Sequence, residues 1–327
     1  MTQIKFGAIY SGFEHVMGPL EFAEKAEALG YDSFWVTDYI MLPRLEAFVL
    51  LSAVASRTRR IKLGTSVVVL PFRHPLHWAK AALSVDALSS GRLIFGAGIG
   101  GDLPREFEVL GLDMRQRARM SDESLGIIRR LLTGEKMSHH GRFYKFEDAG
   151  LGLKSVQKPA IPIWIGSVWH DDIPEGVVRR VARLGDGFMP VDVPAKAYLS
   201  VRQRIEDRAS DLGRDPSSFQ WALFTWLCLD EDAEKARRVS SEILSARLGV
   251  PWEVEPENAA AMGTPRECIE ALERYVDVGV RHFLINLVCP PSEVPRQCEI
   301  FAREIMPYFK AAGGERGNNL SSRQQIS

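Results

Sequence analysis

The 327-residue chain has few cysteines and almost no net charge. Its four cysteines are widely spaced and form no CxxC pair, which is typical of a reduced, cytoplasmic protein. The formal net charge of -1 gives no electrostatic reason to expect nucleic acid or an anionic membrane as a partner. His139 and His140 have no carboxylate or cysteine at ligand spacing, so we expect no metal site. The expected partner is a small-molecule substrate.

Long apolar runs are absent as well. No run approaches the roughly 18 residues that a membrane span needs. The first residues, MTQIKFG, lack the basic-then-apolar pattern of a signal peptide. We therefore expect a soluble, cytoplasmic protein with no membrane contact.

What the sequence does contain is a regular alternation of short apolar runs and amphipathic helical patterns. The predicted strands cover 4–10, 33–37, 61–70, 92–98, 162–166, 186–190, 219–229 and 281–287. The predicted helices cover 19–29, 44–57, 74–88, 115–132, 175–184, 194–212, 232–248, 265–278 and 292–309. Eight strands, each followed by a helix, predict an α/β fold of the (β/α)₈ TIM-barrel type in one domain, residues 1–310.

An open, doubly wound sheet is the competing architecture, since it has the same alternation. The first strand is followed by Ser11-Gly12-Phe13-Glu14-His15 instead of a GxGxxG turn, which favours the barrel. Two excursions, 134–160 and 247–262, interrupt the rhythm, and we expect them to roof a cleft. The Gly-, Asn-, Ser- and Gln-rich tail, 311–327, is predicted to be disordered.

The third and fourth predicted strands carry the most information. The segment from Leu63 to Pro71 is β-branched without alternation, as strands buried on both faces are. The next strand ends in closely spaced glycines, Gly96, Gly98 and Gly100, where the backbone can approach something flat or charged. In a parallel barrel this end of the strands is the active-site face.

Taken in order, several short motifs resemble the bacterial luciferase-like flavin-dependent oxidoreductases, and among them the members that use the deazaflavin coenzyme F-420. The resemblance covers residues 1 to about 310. The motifs are ALGYDSFWVTD (28–38), LGTSV (63–67), HP (74–75), LSSGRL (88–93), GIG (98–100), EF (106–107), PIWIG (162–166) and LGDGF (184–188).

The resemblance implies a cofactor lying across the carboxyl ends of the barrel strands. It also implies a cis peptide between Ser66 and Val67 that bulges against the cofactor ring, with Thr65, Ser66 and Val67 as ring contacts. The cofactor is expected to be coenzyme F-420, with flavin mononucleotide (FMN) as the alternative. A homodimer is expected on the same grounds.

Three residues are candidates for contact with the reacting groups. The family usually has an acidic residue followed by His at the end of the second strand, and this chain has Asp38 followed by Tyr39. Tyr39 is either a hydrogen-bond donor to substrate or a packing residue, because a phenol is a poorer proton shuttle than imidazole at neutral pH. Asp38 is either a cofactor contact or a cap, and Asp102 is either a general acid or a turn residue.

Further candidates come from the loops. Small residues with free amides suit the cofactor ring edge or its phosphate. The expected cofactor contacts of this kind are Gly98, Gly100, Gly166, Ser167, Gly185, Asp186 and Gly187. The expected substrate contacts, for which core packing is the alternative, are Phe13, Trp35, Trp169, His170 and Trp226.

We therefore expect an oxidoreductase that transfers hydride between coenzyme F-420 and a small organic substrate. The first alternative is a monooxygenase that uses reduced FMN and O₂. The second is a barrel that binds a cofactor or serves as a scaffold without catalysis, which the missing family His would permit. The retained glycine loops argue against this last alternative.

Overall fold

The computed structural model describes residues 3–12, 16–249, 251–252 and 260–315. Its strands are all short. They are β1 (Lys5–Tyr10), β2 (Ser33–Val36), β3 (Lys62–Thr65), β4 (Val68–Val69), β5 (Leu93–Gly98), β6 (Met137–His140), β7 (Lys145–Ala149), β8 (Ile163–Val168), β9 (Gly187–Val191), β10 (Gln220–Leu229), β11 (Ala260–Gly263) and β12 (His282–Leu287).

Helices follow the strands along the chain. They are α1 (Pro19–Ala28), α2 (Ala47–Arg57), α3 (Pro75–Leu88), α4 (Pro104–Val109), α5 (Arg117–Leu132), α6 (Glu175–Leu184), α7 (Ala195–Asp211), α8 (Ala233–Leu248), α9 (Pro265–Asp277), α10 (Val294–Ile300) and α11 (Met306–Glu315). The predicted helices are recovered, because their start and stop signals are local. The short helix α4 was not predicted.

The parallel strands close into a barrel. Their order is β1, β2, β3, β5, β8, β9, β10 and β12, and β12 pairs with β1. The short β4 continues β3 and pairs with β5, while β11 adds to the edge of β10. The predicted (β/α)₈ barrel is confirmed. The carboxyl ends of its parallel strands therefore meet at one face.

Large side chains fill the barrel interior. The ring of Trp35 lies 5.2 Å from that of Trp164, and His282 meets both rings edge-on. The Trp35 indole donates to Ser33 Oγ over 2.7 Å, and that oxygen also bonds His282 Nε2. Burial lowers the pKa of His282 to about 3, so the imidazole is neutral. Trp35 is fully buried here, so its prediction as a substrate contact is wrong.

Buried and half-buried polar groups hold the amino-terminal end of the barrel together. Arg92, just before β5, donates to the carbonyls of Ala55, Thr58 and Ile61. Asp186, just before β9, accepts from the Ile163 amide and pairs with two arginines, Arg129 and Arg214. These contacts join the loops that precede neighbouring strands, at the face of the barrel opposite the carboxyl ends of the strands.

The excursion from 134 to 160 runs along the outside of the barrel. Its hairpin, β6 and β7, is held by Glu123 of α5, which accepts from the amides of Phe143 and Tyr144. Farther on, Asp86 of α3 accepts from the Val156 amide over 2.7 Å. The hairpin contacts Glu123 of α5 and, through Tyr144, the His74 ring just before α3, and the expected place of this excursion in a roof stays a prediction.

The structure describes only part of the second excursion, 247–262, and of the tail, 311–327. In the second excursion, residues 250 and 253–259 lie outside the described residues, and 260–263 form β11. The last helix reaches Glu315, past the predicted end of the domain at residue 310, and disorder of the tail stays a prediction. The remaining tail, 316–327, lies outside the described residues.

Candidate active site

The third barrel strand is interrupted at its carboxyl end, and the Ser66-Val67 peptide in the break is cis, as predicted. The Val67 side chain lies between two glycines of neighbouring strands. A Cβ on Gly98 of β5 would be 2.5 Å from Val67 Cγ2, and one on Gly166 of β8 would be 2.6 Å from Cγ1. Three strand ends thus converge on one half-buried side chain, because two of them carry no side chain there.

Thr65 faces the sheet instead of the barrel mouth. Its hydroxyl donates to the Gly96 carbonyl over 2.7 Å and accepts from the Gly96 amide over 2.9 Å, and the residue is fully buried. A contact between this side chain and a cofactor ring is therefore a wrong prediction. Ser66 and Val67 are half-buried and remain candidates.

Asp38 follows β2 at the same face and is buried. Burial raises the pKa of its carboxyl from 3.8 to about 6. The charges of Glu46 and Glu106 act in the same direction, while the Arg73 guanidinium and the Val69 amide oppose them. The amide contact places the Asp38 carboxyl beside β4, next to the Val67 bulge.

Tyr39 and Asp102, the two predicted catalytic residues, are brought together. The Tyr39 hydroxyl donates to Asp102 Oδ2 over 3.3 Å, although 63 positions separate them in the chain. Burial, followed by the charge of Asp102, raises the pKa of Tyr39 to about 12. Tyr39 is half-buried and Asp102 is exposed, so the pair links the barrel mouth with solvent.

Two residues that were given no role from the sequence hold this pair, although Glu106 belongs to one of the motifs of the family resemblance. Glu106 of α4 is buried and accepts from the amides of Ile40 and Met41 over 2.7 and 2.9 Å. The guanidinium carbon of Arg44 lies 4.5 Å from the centre of the Tyr39 ring. An acidic residue just after Pro104 is a helix-start signal that could have indicated Glu106, whereas no local pattern marks Arg44.

The loops after β8 and β9 form the opposite side of the mouth. Gly166 and Ser167 pair in register with Met189 and Pro190, near the carboxyl end of β8. Trp169 is half-buried, with its amide bonded to the Val191 carbonyl, and His170 is exposed. These four predicted residues therefore lie at the expected face.

Asp192, directly after β9, is a further residue that sequence reasoning missed. It has a φ of 58°, and its Oδ1 accepts from the Trp226 indole over 2.8 Å. Burial raises the pKa of Asp192, and the nearby His170 acts in the opposite direction. An acidic residue at a strand end is the signal that could have found it, as it did Asp38. Trp226, a predicted substrate contact, is thereby fixed beside this loop.

A positively charged side chain, that of Arg117, lies beside the loop after β5. Gly100 and Gly101 have φ values of 68° and 135°, in the region that favours glycine. A Cβ on Gly101 would lie 3.4 Å from Nε of Arg117, the first residue of α5. This Nε is buried and has no hydrogen-bond partner among the described residues, although Nη1 bonds the Met114 carbonyl. Arg117 can therefore offer a donor and a positive charge beside the glycine loop.

Other predicted residues lie elsewhere. Gly185, Asp186 and Gly187 are at the amino-terminal end of β9, the opposite face of the barrel, with Gly187 in register with Trp164. They cannot share a cofactor site with Gly166, so this prediction is corrected; the motif instead joins α6 to β9. Phe13 lies outside the described residues.

In the described part of the chain, no group of three or more His, Cys, Asp or Glu residues has the arrangement of a metal site. None of the described helices is long and apolar enough to span a membrane.

Relatives with assigned activities resemble this chain over nearly its full length. A 4-hydroxyprotoasukamycin monooxygenase from Streptomyces nodosus subsp. asukaensis is 28% identical, covering 95% of this chain and 94% of the relative. An F420-dependent glucose-6-phosphate dehydrogenase from Amycolatopsis mediterranei is also 28% identical, covering 93% and 98%. The crystal structure of the monooxygenase RslO1 from Streptomyces bottropensis matches with a TM-score of 0.79 and 25% identity, covering 94% of this chain and all of that one.

The family model described as luciferase-like monooxygenase matches residues 11–282. This match covers the barrel from the end of β1 into β12 and includes both sides of the mouth described above. The chain therefore belongs to the luciferase-like monooxygenase family and is an enzyme of the oxidoreductase class.

Proposed function

We propose that this protein transfers hydride between coenzyme F-420 and a small organic substrate that carries an oxygen function at the reacting carbon. The observation that supports it best is the hydrogen bond from Tyr39 to Asp102 at the mouth of the barrel. It joins a half-buried hydroxyl to an exposed carboxylate, which is the arrangement needed to exchange a proton with solvent at an enclosed site.

The residues at the mouth fit a tricyclic cofactor with a phosphate-bearing side chain. Ser66 and Val67 would lie against the ring, with the Asp38 carboxyl at its edge. Gly166 and Ser167 offer small-residue backbone to the side chain, and Arg117 offers a buried Nε that has no hydrogen-bond partner in the described part of the chain. Such a cofactor supplies a hydride donor or acceptor when it is bound.

In the proposed reaction, side chains of the protein itself supply the proton. When a carbonyl is reduced, hydride adds to its carbon, and the Tyr39 hydroxyl turns from Asp102 to the substrate and gives its one proton to the oxygen. A substrate alkoxide is more basic than a phenolate, so a phenol with a pKa of about 12 is neutral and still a competent donor. Asp102 then returns a proton to Tyr39 from solvent, and alcohol oxidation uses the same path in reverse.

A titration of the purified protein with coenzyme F-420 and, separately, with FMN tests the cofactor. We expect quenching of F-420 fluorescence with a micromolar Kd. We expect Arg117→Gln to weaken binding by about tenfold to a hundredfold, because a charge-assisted hydrogen bond is lost. Arg119→Gln, an exposed neighbour on α5, is the matched control and should leave Kd unchanged. Absence of binding by both cofactors would refute the proposal.

A monooxygenase using reduced FMN and O₂ is the second candidate, because two of the relatives reported above are named monooxygenases. Preferential binding of FMN, with substrate-dependent O₂ uptake, would establish it. Turnover of small alcohols, aldehydes or sugar phosphates, followed through the absorbance of F-420 without O₂, would establish the hydride-transfer reaction instead.

A further inference from the structure

Arg44 connects two strand ends at the mouth of the barrel. Its Nη1 donates to Thr37 Oγ1 over 2.5 Å, next to the buried Asp38. Its aliphatic stem passes Gly12 after β1, where a Cβ would come within 3.0 Å of Arg44 Cγ. The guanidinium then lies over the Tyr39 ring, 4.5 Å from its centre. The side chain is half-buried, so its position is set by packing as well as by hydrogen bonding.

Apart from Arg44, the described contacts hold Tyr39 only at its hydroxyl and through the backbone that follows it. Its hydroxyl bonds Asp102, and the chain after it is tied to Glu106 through the Ile40 and Met41 amides. Neither contact fixes the rotation of the ring about its long axis. The flat guanidinium on one ring face supplies that restraint.

We propose that Arg44 is a positioning residue for Tyr39: it holds the phenol ring from one face so that the hydroxyl stays between Asp102 and the substrate oxygen. This inference rests on the proposed role of Tyr39 as proton donor. A cation over an aromatic face also favours the phenolate over the phenol, which eases the release of the proton to substrate.

The charged groups around Tyr39 agree with this role. The negative charges of Asp102 and Glu106 raise the pKa of the phenol, and Arg44 lowers it. Arg247, near the end of α8, is close enough to Arg44 to lower the pKa of its guanidinium. Removing the charge of Arg44 therefore leaves Tyr39 facing two carboxylates without the cation over its ring.

The first test needs no cofactor. We would follow the ultraviolet absorbance of tyrosine ionisation in the wild type, Arg44→Gln and Arg44→Lys, and subtract the same curve for Tyr39→Phe. The comparison is restricted to the pH range in which the circular dichroism is unchanged. We expect the Tyr39 component to begin at higher pH in Arg44→Gln, with Arg44→Lys in between. An unchanged Tyr39 component would overturn the proposal.

The second test is a double-mutant cycle on turnover. We expect Arg44→Gln to lower kcat by about tenfold to a hundredfold, as misplacement of a reacting group does, with cofactor Kd within about twofold of the wild type. In the Tyr39→Phe background the same substitution should have almost no further effect. Additive losses would overturn the proposal. Arg105→Gln, an exposed arginine of α4, is the matched control.

The two proposals fail in different ways. If the wild type binds neither cofactor, the proposed function is refuted, while the ionisation of Tyr39 still decides whether Arg44 acts on it. If cofactor binds and turns over but the cycle is additive, the function stands and the role of Arg44 is refuted.

Discussion

Asp38 is a carboxyl whose surroundings favour its neutral form. Its burial after β2 raises the pKa of the carboxyl, while the Arg73 guanidinium lowers it and the charges of Glu46 and Glu106 raise it further. Its pKa of about 6 in the folded protein, against an ordinary 3.8, means that folding takes up protons between these values. The stability contributed by the neutral form is complete below pH 3.8 and is lost as the pH rises through about 6.

Asp38→Asn should therefore stabilise the protein at neutral pH. The amide keeps the shape and an oxygen that can accept from the Val69 amide, but it carries no charge. We expect a gain of about 2–3 kcal/mol at pH 7.5, the equivalent of the pKa difference, and little change at pH 4. Urea unfolding at both pH values measures it. Asp207→Asn, an exposed substitution on α7, should show no such difference; a gain at pH 4 equal to that at pH 7.5 would contradict the explanation.

At the scale of elements, Arg92 fastens α2 to β5. Its guanidinium donates to the carbonyls of Ala55 and Thr58 at the end of α2, where helix carbonyls lack partners, and to that of Ile61 before β3. The planar fork reaches all three at once because its donors have a fixed geometry. A lysine at this position has a single side-chain nitrogen, so it cannot reach all three carbonyls at once.

Arg92→Lys should destabilise the protein by about 2–4 kcal/mol, because buried carbonyls lose their donors. Urea unfolding measures the loss. Arg57→Lys is the matched control: it lies in the last turn of the same helix but pairs with Glu24 at the surface, and we expect almost no change in the unfolding free energy. An equal effect of both substitutions would show that the buried contacts of Arg92 are not the cause.

The elements also show what sequence reasoning can reach. Units such as α6 were predicted to the residue, since helical period and capping signals are local. The break in the third strand and the bulge at Val67 came only from the family resemblance. The contact between Tyr39 and Asp102, and the cover provided by Arg44, depend on how two loops meet after the barrel closes, which no local pattern contains.

At the scale of the whole molecule, the two ends of the barrel have different tasks. The strand carboxyl ends carry the candidate active site, and the amino-terminal end carries the buried contacts of Arg92 and the partly buried contacts of Asp186. The direction of each strand decides to which end a loop belongs. The glycine motif at 185–187 was assigned to the cofactor although the predicted strand 186–190 begins within it, and the beginning of a parallel strand lies at the end of the barrel opposite the active site.

This separation predicts a pattern in thermal unfolding. A cofactor at a hundred times its Kd should stabilise the folded protein by about 2.7 kcal/mol and raise the Tm. Arg92→Lys should lower the Tm with and without cofactor by similar amounts, whereas Arg117→Gln should mainly reduce the rise. Differential scanning calorimetry distinguishes the two. A loss of the cofactor-dependent rise in Arg92→Lys would contradict a division of tasks between the ends.

The position of Val67 between Gly98 and Gly166 also limits how this protein can evolve. An added methyl group on either glycine meets a branched, rigid side chain, so the first such change costs stability while Val67 is in place. A smaller residue at 67 opens room for both changes but removes the side chain that joins the three strand ends. Substitutions at these positions are therefore accessible in one order and not in the reverse, and descendants of this chain are expected to vary at them together or not at all.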